Sequence, residues 1–157
     1  MRFLLLLLCV TTPLTAQAPT RAAKQWAQKY HIDPIIAQAV MKAADGNKIP
    51  RPLAFALVQL ESAFDSAAVS STGALGLTQL LYSTARDLDP TVTREQLLEP
   101  TCNARLGMRY LRQMLNRYQQ DPRLALVAYN EGMRVADSLK VLYTSDYAQH
   151  ILERAYP

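Results

Sequence analysis

The chain has 157 residues, with 17 basic and 13 acidic side chains giving a net charge of +4, and only two cysteines. So few cysteines exclude a disulfide-dense secreted scaffold, and stability must come from a packed core. The mild basic surplus suits an anionic cell-envelope polymer, but without a dense basic cluster or interleaved aromatic and basic residues it disfavours nucleic acid as a partner.

The first 18 residues, MRFLLLLLCVTTPLTAQA, set basic Arg2 before an apolar run from Phe3 to Val10 and end in Ala16-Gln17-Ala18. That is the pattern of a secretory signal peptide cleaved after Ala18, and it is too short to span a bilayer. Cys9 is a poor lipid-attachment site because Leu8 stands where a small residue is needed. Removing this segment, which holds Arg2 and no acid, leaves 139 residues at a net charge of +3, a size that fits one domain over residues 19–157. The expected location is the periplasm or outside the cell, with no stable membrane insertion.

Strand-like alternation is scarce beyond the leader, and the chain reads as all-α. Thr20 caps a first helix that puts Ala22, Trp26 and Tyr30 on one side. Asp33-Pro34 supplies an N-cap followed by proline at the first helical position, and this second helix runs to Ala44 and stops near Gly46. Pro52 opens a third that carries Leu53, Phe55, Leu57, Val58 and Leu60 up to Glu61. Thr93-Arg94-Glu95-Gln96 has the capping-box pattern and predicts a short helix. From Asn103 to Tyr118, the set Ala104, Gly107, Met108, Leu111, Leu115 and Tyr118 follows helical spacing. Arg105, Arg109 and Arg112 form a basic stripe beside it, which reads as a solvated face or as a contact for ligand carboxylates. Asp121-Pro122 repeats the cap-and-proline signal before LALVAYN.

Glu61 lies one turn beyond Leu57 and Val58, with Phe64 three residues later on the same side. A carboxyl so placed is poorly hydrated, its pKa rises, and a carboxyl held protonated can serve as a general acid. A helix-end glutamate reaching out to water fits the position equally. Downstream, Gly73 and Gly76 permit close backbone approach to a ligand, and Gln79 offers both a donor and an acceptor. His31 and His150 stand apart, without metal-ligand spacing, and read as structural or surface residues.

Five short motifs then occur in order: Glu61-Ser62, Ala68 through Gln79 (AVSSTGALGLTQ), Gly107-Met108-Arg109-Tyr110-Leu111, Ala128-Tyr129-Asn130-Glu131-Gly132, and Tyr147-Ala148. Together they resemble the soluble lytic transglycosylase family, in its goose-lysozyme-like catalytic domain. The resemblance implies an all-α, lysozyme-like single domain of about seven to nine helices. It implies an enzyme that cuts the β-1,4 bond between MurNAc and GlcNAc of peptidoglycan and leaves a 1,6-anhydro end, without metal or organic cofactor. Glu61 would be the sole acid and base. Ser70 would bond near its carboxyl or the sugar N-acetyl group, Gln79 would line the glycan cleft, and Tyr110, Tyr129 and Asn130 would shape the pocket. Read as residues alone, Tyr110 also fits a core, Tyr129-Asn130 a helix end, and Tyr147 a packing position on the last helix.

Two positions depart from the family pattern. Thr78 stands where Met is usual, beside the expected cleft, so that Thr78→Met is expected to keep or raise activity. Glu131 replaces a small residue. From Ser66 to Arg86 there is no Asp or Glu, so the segment beside Glu61 supplies no second carboxylate of the kind that water-using glycosidases employ. Two other readings stay open: a lysozyme-like hydrolase on the same fold, told apart by product mass, and a non-catalytic glycan-binding or assembly module, told apart by binding without cleavage. The expected partners are peptidoglycan strands and a secretion or conjugation apparatus that needs a local gap in the wall, with the chain acting as a monomer.

Overall fold

A computed structural model of the chain describes residues 18–138 and 145–157, so the leader up to Gln17, with Cys9, lies outside the described residues. Local capping chemistry sets the first helices. Thr20 accepts a hydrogen bond from the Ala23 amide at 3.2 Å and opens α1 (Arg21–Tyr30). Asp33 accepts from the Ile35 amide at 2.7 Å, and Pro34 follows as the first residue of α2 (Pro34–Gly46). Helix α3 (Arg51–Ser62) starts one residue before Pro52.

A very short antiparallel hairpin follows, β1 (Ala74–Leu75) and β2 (Leu80–Leu81), with Ala74 opposite Leu81 and Leu75 opposite Leu80. Helix α4 (Tyr82–Leu88) leaves it directly. The capping box forms reciprocally: the Thr93 amide donates to Gln96 Oε1 at 2.9 Å, and the Gln96 amide donates to Thr93 Oγ1 at 3.2 Å. It opens a 3-10 turn over Gln96–Leu98, which ends because Glu99 precedes a proline and is extended.

Pro100 then begins α5 (Pro100–Arg117), three residues before the start that Asn103 suggests in the sequence. Asp121 accepts from the Arg123 amide at 2.8 Å and opens α6 (Pro122–Glu131). Helices α7 (Met133–Ser138) and α8 (Asp146–Ala155) complete the described residues, which hold eight α-helices and no strands beyond the hairpin. None of these helices is long and apolar enough to cross a membrane.

Two cores form. The larger collects Val40, Phe55, Leu57, Val58, Met108, Leu111, Leu126 and Ile151 from α2, α3, α5, α6 and α8. Six consecutive residues of α3, Leu53 to Val58, are buried, so the helix is enclosed on nearly all sides. Burying a side chain such as Phe55 or Leu57 contributes about 1.5–3 kcal/mol. Trp26 and Phe55 stack with centroids 4.3 Å apart, and Tyr30 meets Phe55 at 5.1 Å and Phe64 at 5.4 Å, fixing α3 on α1. The smaller core joins Leu75, Leu80, Ala85, Leu88, Val92, Leu97 and Leu106, so that the hairpin, α4 and the 3-10 turn rest on α5. Tyr110 of α5 packs against both cores and marks the junction between them.

Candidate active site

The enclosed helix α3 delivers Glu61 at its last turn, directly past the buried Leu57 and Val58. Ala63 and Phe64 both adopt left-handed backbone, with φ of 50° and 65°, which turns the chain sharply and lets Phe64 fold back into the aromatic cluster. The Ser62 hydroxyl donates to the Leu77 carbonyl at 2.9 Å and ties the helix end to the hairpin. Burial raises the Glu61 pKa above the ordinary carboxylate value, and a hydrogen bond from the Tyr147 hydroxyl to its Oε1 works against that rise. Burial, and next the facing Glu61 carboxylate, raise the Tyr147 phenol well above its usual value, so Tyr147 stays a proton-bearing donor. Burial raises the Tyr129 phenol too, with Glu61 again the second cause.

Glu61 opens into a cleft of about 450 Å³ at the junction of the two cores. The hairpin region contributes Ser70, Thr72 and Gln79, and α5 and α6 contribute Tyr110, Tyr129, Asn130 and Glu131. The rings of Tyr110 and Tyr129 lie 5.1 Å apart. Gln79 has φ of 46°, and its Nε2 donates to the Gly76 carbonyl at 3.0 Å and the Ala68 carbonyl at 3.2 Å, which fixes the amide at the cleft wall. The Ser70 hydroxyl is engaged in its own turn, 2.9 Å from Thr72 Oγ1 and accepting from the Ala74 amide at 3.0 Å. Tyr147, which the sequence leaves readable as a packing residue, makes the direct contact to the Glu61 carboxyl.

Three readings need correction. Thr78 does not line the cleft: it is 0% exposed, its hydroxyl donates to Asn103 Oδ1 at 2.7 Å, and its amide donates to the same oxygen at 2.9 Å. A Cβ on Gly107 would meet Thr78 atoms at 2.3–2.6 Å, so α5 passes directly over this side chain. Gly76 does not bring backbone to a ligand, because a Cβ there would lie 2.5 Å from Asn103 Nδ2 and from the Leu97 carbonyl; its φ of 67° serves the turn and the packing on α5. The cleft does hold a second carboxylate, since Glu131 arrives from the end of α6 although the segment from Ser66 to Arg86 has none.

Sequence reasoning missed Asn103. This 0% exposed residue accepts from Thr78 through Oδ1 and donates through Nδ2 to the Leu75 and Leu97 carbonyls, both at 2.8 Å. The basic stripe lies outside the cleft lining. Arg105 pairs with Asp89 at 3.2 Å, and Arg112 Nε donates to the Asn47 carbonyl at 2.8 Å, holding the end of α2. His31 and His150 are exposed, and no cluster of three or more His, Cys, Asp or Glu among the described residues is placed to hold a metal ion.

The family model described as Transglycosylase SLT domain matches residues 38–150. The chain belongs to this family. The matched span takes in Glu61, the hairpin, α5, α6 and Tyr147. The SLT domain is similar to the soluble lytic murein transglycosylase of Escherichia coli strain K12, at 29% identity over 126 residues, covering 76% of this chain and 19% of that protein. It is 38% identical over 95 residues to the transglycosylase of Enterobacteria phage PRD1, covering 60% of this chain and 34% of that one. Among solved structures, an inactive glutamate-to-glutamine mutant of the lytic transglycosylase Slt from Pseudomonas aeruginosa superposes with a TM-score of 0.69 at 26% identity, over 85% of this chain and 29% of that one. The chain thus spans about a seventh to a third of the length of the curated relatives it matches. The fold is lysozyme-like and all-α, as the motifs imply.

Proposed function

We propose that this SLT domain is a peptidoglycan lytic transglycosylase and that Glu61 is its acid and base. The observation that carries the reading is a carboxyl raised in pKa by burial, held by Tyr147, and open to a cleft large enough for sugar rings. The neutral Glu61 gives its proton to the glycosidic oxygen between MurNAc and GlcNAc, and the C1–O bond breaks. The substrate N-acetyl group stabilises the cation at C1. The Glu61 carboxylate then takes the proton of the MurNAc 6-hydroxyl as that oxygen attacks C1, which closes a 1,6-anhydro ring and restores the acid without consuming water.

Gln79, Tyr110, Tyr129 and Asn130 shape the subsites around this bond, and Ser70 presents its turn to the same wall. Thr78 has no direct part in binding. That a glutamate-to-glutamine mutant of the Pseudomonas aeruginosa enzyme is inactive supports an essential glutamate in the fold. A hydrolase is the second reading, favoured by the presence of Glu131 in the cleft, where it would activate a water.

Digestion of purified sacculi separates them, because an anhydro end is lighter than a hydrolysed end by one water. Glu61→Gln keeps the shape but cannot transfer the proton, and it should lower release by at least about 10² to 10⁴. Substantial anhydro product from a folded Glu61→Gln protein would refute the mechanism. Within the same reading, residues 1–18 direct export to the periplasm, which intact-mass analysis of the exported form tests. Wall opening at a secretion or conjugation apparatus is the process we assign to it, tested by recovery of apparatus components with the Glu61→Gln protein.

A further inference from the structure

Among the described residues, those lining the cleft include two acids, Glu61 and Glu131, and neither Lys nor Arg. Their situations differ. Glu61 is partly buried and bonded to Tyr147, whereas Glu131 is exposed. The ion pairs among the described residues, Arg51–Asp45, Arg105–Asp89 and Arg117–Asp137, do not include Glu131. Glu131 is also the last residue of α6, where the unpaired carbonyls of the helix end disfavour a negative charge and a basic residue is the ordinary choice. Among the described residues no ion pair therefore stabilises this carboxylate, and it replaces a small residue in an otherwise matching motif.

We infer that Glu131 is a specificity residue that recognises an ammonium group on the bound strand, supplied by an N-deacetylated amino sugar or by the free amine of a diamino acid in the stem peptide. The inference rests on the glycan-cleaving reading of the cleft. An ammonium in the cleft meets a carboxylate with no competing cation among the described residues of the walls. A fully acylated strand gains nothing from it. The same field repels carboxylates of the ligand, so strands rich in free acids are disfavoured.

The test reads binding in a non-cleaving background, with Glu61→Gln compared to Glu61→Gln/Glu131→Gln and Glu61→Gln/Glu131→Asp. Soluble strands prepared from sacculi are used in three forms: as isolated with peptides attached, with all free amines acetylated, and stripped of peptide then N-deacetylated on the sugar. Titration calorimetry at low and high salt gives the affinities, and thermal midpoints confirm that the variants are folded. Glu131→Gln should weaken binding of an ammonium-bearing form about fivefold, as for a partly exposed ion pair. It should leave the acetylated form unchanged, lose its effect at high salt, and be largely rescued by Glu131→Asp. The form that shows the loss identifies which amine is read. An equal loss on all three forms, or no loss on any, overturns the inference. Cleavage of sacculi by the wild-type protein is measured separately, so failure of the enzymatic reading is seen independently of the binding result.

Discussion

Replacing Asn103 tests whether the cleft wall is held as the structure indicates. Its side chain makes four hydrogen bonds, to the Thr78 amide, the Thr78 hydroxyl, and the Leu75 and Leu97 carbonyls, at 2.7–2.9 Å. Asn103→Ala strips this partner from three backbone groups in a fully buried setting, and each orphaned group costs about 1–3 kcal/mol. A water entering the vacated volume repays part of that, which leaves about 3–5 kcal/mol. For a domain of this size, about 2–4 °C per kcal/mol converts that into a fall of roughly 10 °C in Tm. Asn103→Asp is the sharper variant, because it keeps volume and acceptor while turning the Nδ2 donor into an oxygen facing two carbonyls. It should be at least as damaging at neutral pH and recover in acid, where protonation restores a donor. Urea unfolding followed by circular dichroism measures both. An Asn103→Ala protein within about 1 kcal/mol of wild type, or Asn103→Asp equal to wild type at neutral pH, would refute this account.

Tyr147→Phe removes the hydrogen bond that, among the described residues, opposes the rise in the Glu61 pKa, so the basic limb of the kcat/KM profile on soluble strands should move to higher pH; an unmoved limb contradicts the coupling. Glu61→Gln should raise Tm in a pH-dependent way. Because the folded pKa of Glu61 is raised, the stability it contributes is full below the ordinary value of 4.5 and is lost as pH rises through the folded value. The variant should therefore match wild type in acid and exceed it at neutral pH, and a pH-independent difference in Tm would show that Glu61 is not desolvated. Thr78→Met, expected from the sequence to keep or raise activity, should instead lower stability by about 1–3 kcal/mol through lost hydrogen bonding and overpacking under Gly107; unchanged urea unfolding would show that α5 yields to the larger side chain.

What the sequence shows plainly is what local chemistry determines. Thr20, Asp33 and Asp121 act within three residues of themselves, so their caps are readable without knowing the fold. The apolar set on α5 is buried throughout, as its spacing predicts. Asn103 is the opposite case: it resembles a helix cap, but its partners at Leu75 and Thr78 lie 28 and 25 residues away, so its role exists only in the tertiary structure. Thr78 and Gln79 are adjacent in the motif yet have opposite fates, because the left-handed backbone at Gln79 turns one side chain to the cleft and leaves the other against α5. Glu131 reaches the cleft of Glu61 from a helix 70 residues further along, beyond any local count of acids.

The placing of the acid at a junction of two cores follows from conflicting demands. Under the proposed function, a carboxyl that must stay protonated needs apolar neighbours, whereas a polymer strand needs an open approach, and one enclosed core cannot give both. Helix α3 meets the first demand by running Leu53 to Val58 through the larger core and delivering a partly buried Glu61 at its last turn. The facing wall is harder to fix, since two-residue strands have little stability of their own. Apolar packing on α5 holds that wall in place but is non-directional and sets no orientation. Orientation comes from polar ties to the larger core: Ser62 of α3 to the Leu77 carbonyl, Asn103 of α5 to Thr78 and Leu75, and Tyr129 of α6 to the Thr78 carbonyl at 2.9 Å. Three helices thus each grip consecutive backbone groups just before Gln79, and the distance between Gln79 and Glu61 is governed by those helices rather than by the hairpin itself.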